Sequence, residues 1–317
     1  DMALQELDNS NISKHLGQTS KYKATYDPDL LVREPRQSNR THLGLQDDSL
    51  PFEGGDVWNA YEVSGLTNKG LPVCGVGKLY IPCNGKYIVE SKSLKLYFNS
   101  FNMSQLGDTS EEVRAEIERR AHTDLSELLG VDVEVRIFSN REMLDAEVTS
   151  KAEWSHTDDG VKSWIDGFIT LEDEYPVEDI EFTAYQEDPD LLRVIENPLA
   201  DQVVRYHSAL LKSNCRVTSQ PDWGDVYIEF KGPKAVDPIS LLKYIVSFRD
   251  ECHFHEEICE ALTKRLLDVL DPEQLTVRCL YARRGGIDIN PERYIKGSKH
   301  HDSLNDVSVP YIKTPKQ

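Results

Sequence analysis

From residue 56 onward the apolar positions follow two periods. Val57 to Val63 and Gly75 to Ile81 alternate, which predicts strands with one face toward a core. Asn84-Gly85 has the chemistry of a tight hairpin turn and leads into a third strand, Tyr87-Ile88-Val89. Glu90-Ser91-Lys92-Ser93 opens a helical period over Leu94 to Phe101. A longer helix is predicted over Ser110 to Leu129, with a capping-box start at Ser110 and a stop at Gly130. Val131 to Phe138 alternates again as a strand.

The same order then returns. Val203 to Val217 and Asp225 to Phe230 read as strands, Ser240 to Phe248 and His255 to Leu270 as helices, and Leu275 to Tyr281 as a further strand. Arg283-Arg284-Gly285-Gly286 is a turn into Ile287 to Ile289. Two stretches lack this order. Residues 1–50 are polar and read as an arm draped over another part of the chain. Residues 150–200 are acidic and irregular, with one predicted strand at Ile180 to Tyr185, and read as a crossover.

The halves align as a repeat. Gly77-x-x-Tyr80-Ile81 matches Gly224-x-x-Tyr227-Ile228 at an offset of 147, and the same offset aligns Ser93-Leu94, Tyr97 and Ser100-Phe101 with Ser240-Leu241, Tyr244 and Ser247-Phe248. Val135-Arg136 matches Val277-Arg278 at an offset of 142. Each half is expected to run strand, strand, helix, helix, strand, strand. The implied division is an arm over 1–50, a first module over 51–185 and a second over 186–317. At offset 147, Cys215 and Asp222 fall opposite Asn68 and Gly75, while Glu90-Ser91-Lys92 falls opposite Asp237-Pro238-Ile239. Each half keeps reactive-looking residues that the other lacks, which predicts one composite pocket between them.

Composition narrows the function. The 317 residues carry 36 Lys+Arg against 55 Asp+Glu, a formal net charge of −19. That argues against a nucleic-acid partner, whose binding rests on neutralising phosphates, while leaving room for a local basic cluster. Six cysteines are too sparse and irregular for a disulfide framework, which implies reduced thiols and a cytoplasmic location. No apolar run approaches a membrane span and no signal peptide opens the chain.

The candidate chemistry lies in Asn214 to Phe230. Cys215 and Asp222 flank a turn-prone connection, Thr218-Ser219-Gln220-Pro221, able to fold back and bring a thiol and a carboxyl into one pocket. A thiol is a nucleophile and a nearby carboxyl a proton donor. A buried cysteine and a turn aspartate are the other reading of the same spacing. Cys252, His253, His255 and Cys259 invite zinc, but they straddle a helix start and form no compact tetrahedral set, so no metal is expected. There is no Gly-x-Gly-x-x-Gly at a strand-to-helix turn, which excludes a Rossmann-type nicotinamide site.

The residues Cys215-Arg216-Val217-Thr218-Ser219-Gln220-Pro221-Asp222-Trp223-Gly224, with Glu90-Ser91-Lys92-Ser93-Leu94-Lys95, Phe254-His255-Glu256 and Arg284-Gly285-Gly286, resemble the two-module NADPH-dependent 7-cyano-7-deazaguanine reductases, the nitrile reductases of queuosine biosynthesis. The resemblance runs from about residue 25 to 296. It implies an α+β fold of tandem tunnelling-fold modules, each an antiparallel sheet with two helices on one face. It also implies reduction of the substrate nitrile to an aminomethyl group with two NADPH, through a thioimide on Cys215 and with a proton from Asp222. Val89, Glu90, Ser91, His255 and Glu256 would contact substrate, and Ser91, Lys92, Arg284 and Gly285 the NADPH. A homodimer is the expected assembly. Arg216 and Asp225 depart from the pattern, placing charges where smaller or apolar residues are expected. A cyclohydrolase-like or non-catalytic purine- or pterin-binding protein on the same scaffold is the alternative.

Overall fold

The computed structural model describes residues 25–145, 167–298, 305–308 and 316–317. The arm enters as β1 (Arg33–Pro35) and α1 (Gln37–His42). The first half follows as β2 (Glu53–Leu66), β3 (Pro72–Pro82), β4 (Tyr87–Val89), α2 (Ser91–Asn99), α3 (Ser110–Leu129) and β5 (Glu134–Phe138). After a two-residue strand β6 (Ile169–Thr170), the second half runs β7 (Val194–Glu196), β8 (Val204–Cys215), β9 (Pro221–Lys231), β10 (Lys234–Val236), α4 (Pro238–Val246), β11 (Cys252–His253), α5 (His255–Leu270), β12 (Gln274–Tyr281) and β13 (Ile287–Tyr294). The protein is α+β, and its long strands pair antiparallel in one sheet, ordered β11-β8-β9-β12-β13-β2-β3-β5, with β6 beside β8. Among the described strands, the short β6 and β11 alone run parallel to their neighbour β8.

One face of this sheet carries the helices. On α3, Val113, Ile117, Ala121, Leu125 and Leu129 recur every fourth residue and all are buried, the stripe an amphipathic helix turns to a core. They pack with Leu94, Tyr97, Phe98, Leu79 and Ile81 in a first cluster. The second cluster joins Leu241, Ile245, Ile258, Leu262 and Leu266 to Val226, Ile228, Phe230 and Val277. The β13–β2 ladder, from Ile287↔Ala60 to Tyr294↔Glu53, joins the halves into one surface.

The repeat is visible in the ladders, and its strand offset needs correction. A register irregularity lies between Ala60 and Val63 on β2 and between Ser208 and Leu211 on β8. Beyond it Val63 pairs with Gly75 and Leu211 with Gly224, so Gly75 and Gly224 correspond, an offset of 149 rather than 147. The helices α2 and α4 start at Ser91 and Pro238, which keeps 147. The loop between the corresponding strands is shorter in the second half, Gly232-Pro233 against Cys83-Asn84-Gly85-Lys86, and this absorbs the difference of two. A slip of two preserves facing in a strand, which is why the sequence alignment still matched residues on the same face. On β5 and β12, Arg136 pairs with Lys78 and Arg278 with Tyr227, which agrees with an offset of 142.

Four further expectations change. Asn84-Gly85 does not close a hairpin, because β4 leaves the main sheet and pairs with β1 of the arm. The capping box of α3 belongs to Thr109, whose hydroxyl accepts from Glu112 N–H at 3.1 Å. Ile180 to Tyr185 forms no strand. Among the described residues the first half has no counterpart of β13. Leu171, Tyr175, Val177 and Phe182, on the first-module side of the expected 185/186 division, pack in the second cluster.

The arm lies across both halves. Leu31 joins the first cluster while Leu43 and Leu45 join the second. Arg40 is fully buried and fastens the arm through Glu260, at 2.8 and 3.0 Å, and through the Cys83 carbonyl, at 2.7 Å.

Candidate active site

Cys215 ends β8 and Asp222 stands one residue into β9. Asp222 pairs with Ser213 in the β8–β9 ladder, so strand pairing brings thiol and carboxyl to one end of adjacent strands. Both line a cleft enclosing about 360 Å³, counting its open mouth. Its walls come from both halves. Trp58, Val89, Glu90 and Ser91 belong to the first, Cys215, Val217, Asp222 and His253 to Glu256 to the second, and Arg284 and Ile289 to the segment leading across. The composite pocket expected from the complementary losses is present within one chain. With the strand offset corrected, Asp222 corresponds to Val73, so the first half still lacks the acid.

Each side chain is placed by local structure. Glu90 is the N-cap of α2, and its carboxylate accepts from Lys92 N–H at 2.9 Å and Ser93 N–H at 2.7 Å. That fixes an almost fully buried carboxyl group at the cleft wall. His255 and Glu256 open α5. The His255 ring stacks on Tyr281 at 3.8 Å and 9°, and its Nε2 lies 3.2 Å from Asp222 Oδ2. Arg284 Nη1 lies 3.0 Å from Asp222 Oδ1. Glu256 is 2% exposed, and burial, reinforced by the Asp56 carboxylate, pushes its carboxyl up to about 8.

The cleft rests on buried ion pairs. Asp56 lies 2.8 Å from both Arg36 and Arg293, and Arg293 also reaches Glu260 at 3.1 Å. Burial opposes charge on Asp56 and Glu260, but Arg293 and its fellow guanidiniums hold both carboxyls below their ordinary range.

Of the residues expected at the site, Cys215, Asp222, Val89, Glu90, Ser91, His255, Glu256 and Arg284 line this cleft. Lys92 and Gly285 do not; both are exposed beside it. Trp58, Val217, His253, Phe254 and Ile289 also line it, and the site reading missed them. Phe254 stood within a quoted motif, whereas Trp58 and Ile289 carried only the alternation of ordinary core strands. The departures have structural partners: Arg216 pairs with Glu257 at 3.0 Å, and Asp225 pairs with His207 at 3.0 Å and Lys316 at 2.7 Å.

The zinc candidates point apart. His253 is held between Glu251, at 3.0 Å, and Glu257, at 3.6 Å; burial opposes its charge, yet these carboxylates push it up to about 9. His255 faces Asp222, buried Cys259 faces the Val277 and Pro291 carbonyls, and Cys252 is exposed. No group of three metal-ligating side chains occurs among the described residues. A phosphate-bearing cofactor has a matching donor set. Exposed Lys92 stands in the first turn of α2, Lys95 is one turn on, and Arg283 and Arg284 occupy the neighbouring turn. Gly285, left-handed at φ 61, keeps the backbone bare there. No helix among the described residues is long and apolar enough to cross a membrane.

Comparison with known proteins gives four likenesses. A family model described as nitrile reductase, 7-cyano-7-deazaguanine-reductase N-term, matches residues 22–137, and one described as QueF-like protein matches residues 221–300. These spans take in Val89 to Lys92 and Asp222, His255, Glu256, Arg284 and Gly285, and Cys215 falls just before the second. The NADPH-dependent 7-cyano-7-deazaguanine reductase of Colwellia psychrerythraea is 38% identical over 280 residues, 88% of this chain and 90% of that protein. The crystal structure of the archaeosine synthase QueF-Like in the apo form overlaps 34% of this chain and 96% of its own, at 18% identity and a TM-score of 0.26.

Proposed function

The chain belongs to the NADPH-dependent 7-cyano-7-deazaguanine reductases, and from that premise we propose how its cleft carries out the reaction. The substrate is 7-cyano-7-deazaguanine, whose nitrile is reduced to a primary aminomethyl group, a step of queuosine biosynthesis. Cys215 adds to the nitrile carbon and forms a thioimide, while Asp222 takes the thiol proton and passes it to nitrogen. A nitrile is a poor hydride acceptor and a protonated thioimide a good one, so the covalent step divides a hard reaction. NADPH, when bound, supplies one hydride in each of two rounds.

The remaining residues bind and orient. Glu90 and Glu256 receive the N–H edge of the deazaguanine, with Val89, Ser91 and His255 beside them. Such an edge offsets the burial that keeps Glu256 protonated, so substrate binding and ionisation of Glu256 favour each other. Ser91, Lys92, Arg284 and Gly285 hold the phosphates of NADPH. The two halves are read as tandem tunnelling-fold modules sharing one sheet, with the arm spanning both and residues from 167 onward assigned to the second. The assembly is a homodimer, supported by the outer edge of β5, which pairs with no further strand among the described residues. The compartment is the cytoplasm, supported by six free cysteines.

One observation carries the reading: a thiol and a carboxyl from adjacent strands of one half face Val89 to Ser91 of the other. Intact-protein mass spectrometry with the nitrile and no NADPH is expected to show a substrate-sized increase, absent in Cys215→Ala. NADPH oxidation is expected only when the nitrile is present. An adduct that survives in Cys215→Ala refutes the nucleophile.

A further inference from the structure

Both oxygens of the Asp222 carboxylate are engaged, Oδ1 by Arg284 at 3.0 Å and Oδ2 by His255 at 3.2 Å. The two partners differ in how they are held. His255 is clamped face to face on the buried Tyr281 ring. Arg284 reaches in from the turn between β12 and β13, and its side chain is 40% exposed. Reciprocal hydrogen bonds with Ile287, at 2.9 and 3.2 Å, fix its backbone. The side chain can therefore leave Asp222 without moving the turn. The other groups around Asp222 are Cys215 from β8, Tyr281 from β12, Glu256 from α5 and Glu90 across the cleft. None of them replaces a guanidinium.

We propose that Arg284 is a positioning residue that links cofactor occupancy to the acid. Without cofactor it occupies Oδ1 of Asp222; a phosphate of the dinucleotide draws it away and frees that oxygen. This deepens the reading of Cys215, Asp222 and Arg284 given above and rests on it. In the step concerned the C–S bond forms, one π bond of the nitrile breaks, and the thiol proton moves through Asp222 to nitrogen. No electrons enter from outside. Asp222 carries that proton more readily on an oxygen that holds no guanidinium, so the Arg284 contact slows the step without blocking it. The exchange is energetically modest. A partly exposed ion pair is weak, and a phosphate offers a guanidinium more acceptor oxygens than one carboxylate oxygen does.

The test follows adduct formation by intact mass spectrometry, with 7-cyano-7-deazaguanine and with or without NADP⁺, which carries no hydride. In the unchanged protein NADP⁺ is expected to speed adduct formation about fivefold, the scale of a partly exposed ion pair. Arg284→Gln is expected to show the fast rate without NADP⁺. Arg284→Lys, which restores a point charge at a single-contact site, is expected to keep the slow rate and the response to NADP⁺. An Arg284→Gln rate equal to or below that of the unchanged protein overturns the proposal, as does an unchanged protein indifferent to NADP⁺. Absence of any adduct in the unchanged protein instead overturns Cys215 as nucleophile and takes this proposal with it.

Discussion

Cys215 donates its backbone N–H to the Gln220 carbonyl at 2.8 Å, and Ser219 donates back to the Cys215 carbonyl at 2.9 Å. The connection between thiol and acid is therefore a closed turn. Ser219 sits in it at φ 56, a left-handed conformation that a non-glycine residue adopts only when its surroundings hold it there. The turn returns the chain directly into β9, where Asp222 pairs with Ser213. Proximity of thiol and acid is thus fixed by backbone hydrogen bonds, independent of either side chain.

Asp222→Asn keeps the shape of that arrangement and removes the exchangeable proton. General acid catalysis contributes about 10²–10⁴-fold, so the rate of nitrile-dependent NADPH oxidation is expected to fall by that factor, about 3–5 kcal/mol of barrier. Reduction at the unchanged rate removes Asp222 from the reaction.

Arg293 lies fully buried between Asp56 and Glu260, at 2.8 and 3.1 Å. Arg293→Met keeps the volume but leaves two buried carboxylates short of a cation. Breaking such a pair costs about 3–5 kcal/mol, which urea unfolding reads as a lower midpoint. An unchanged midpoint shows that the network contributes nothing to stability.

Two groups make stability fall with rising pH. The Glu256 carboxyl rises from 4.5 to about 8 on folding, so between those values the folded state holds the extra proton and loses stability as pH climbs. His253 rises from 6.5 to about 9, so its stabilisation is fully present below 6.5 and lost as pH climbs through 9. Thermal unfolding across this range is expected to show a declining midpoint. Glu256→Gln should flatten the lower part and His253→Gln the upper part. Parallel profiles in all three proteins refute both assignments.

Thioimide chemistry needs no Lewis acid, and His253, His255, Cys252 and Cys259 face different partners. Protein treated with a chelator and then desalted is expected to oxidise NADPH in the presence of the nitrile at its original rate. Loss of activity that zinc restores contradicts this.

The sequence by itself determined the long elements and singled out the candidate residues. Period-two and period-3.6 patterns placed the long strands and the helices, with His255–Leu270 recovered to the residue. Covalently local signals, the Cys215 to Asp222 turn and the Glu90-Ser91 helix start, marked four of the residues that line the cleft. What the sequence left open depends on non-local pairing. The two-residue slip between strand and helix offsets is invisible to an ungapped alignment, because facing repeats every two residues. Tyr87–Val89 had the pattern of a hairpin strand, yet its partner Arg33–Pro35 lies in the arm and was chosen by register. Arg40, Arg293 and Asp56 look like ordinary surface charges in a chain of net charge −19, and only packing pairs them in the interior. The contact of Arg284 with Asp222 has the same origin. The two stand far apart in the chain, and the β9–β12 ladder, which pairs Gly224 with Tyr281, brings the turn after β12 over the acid.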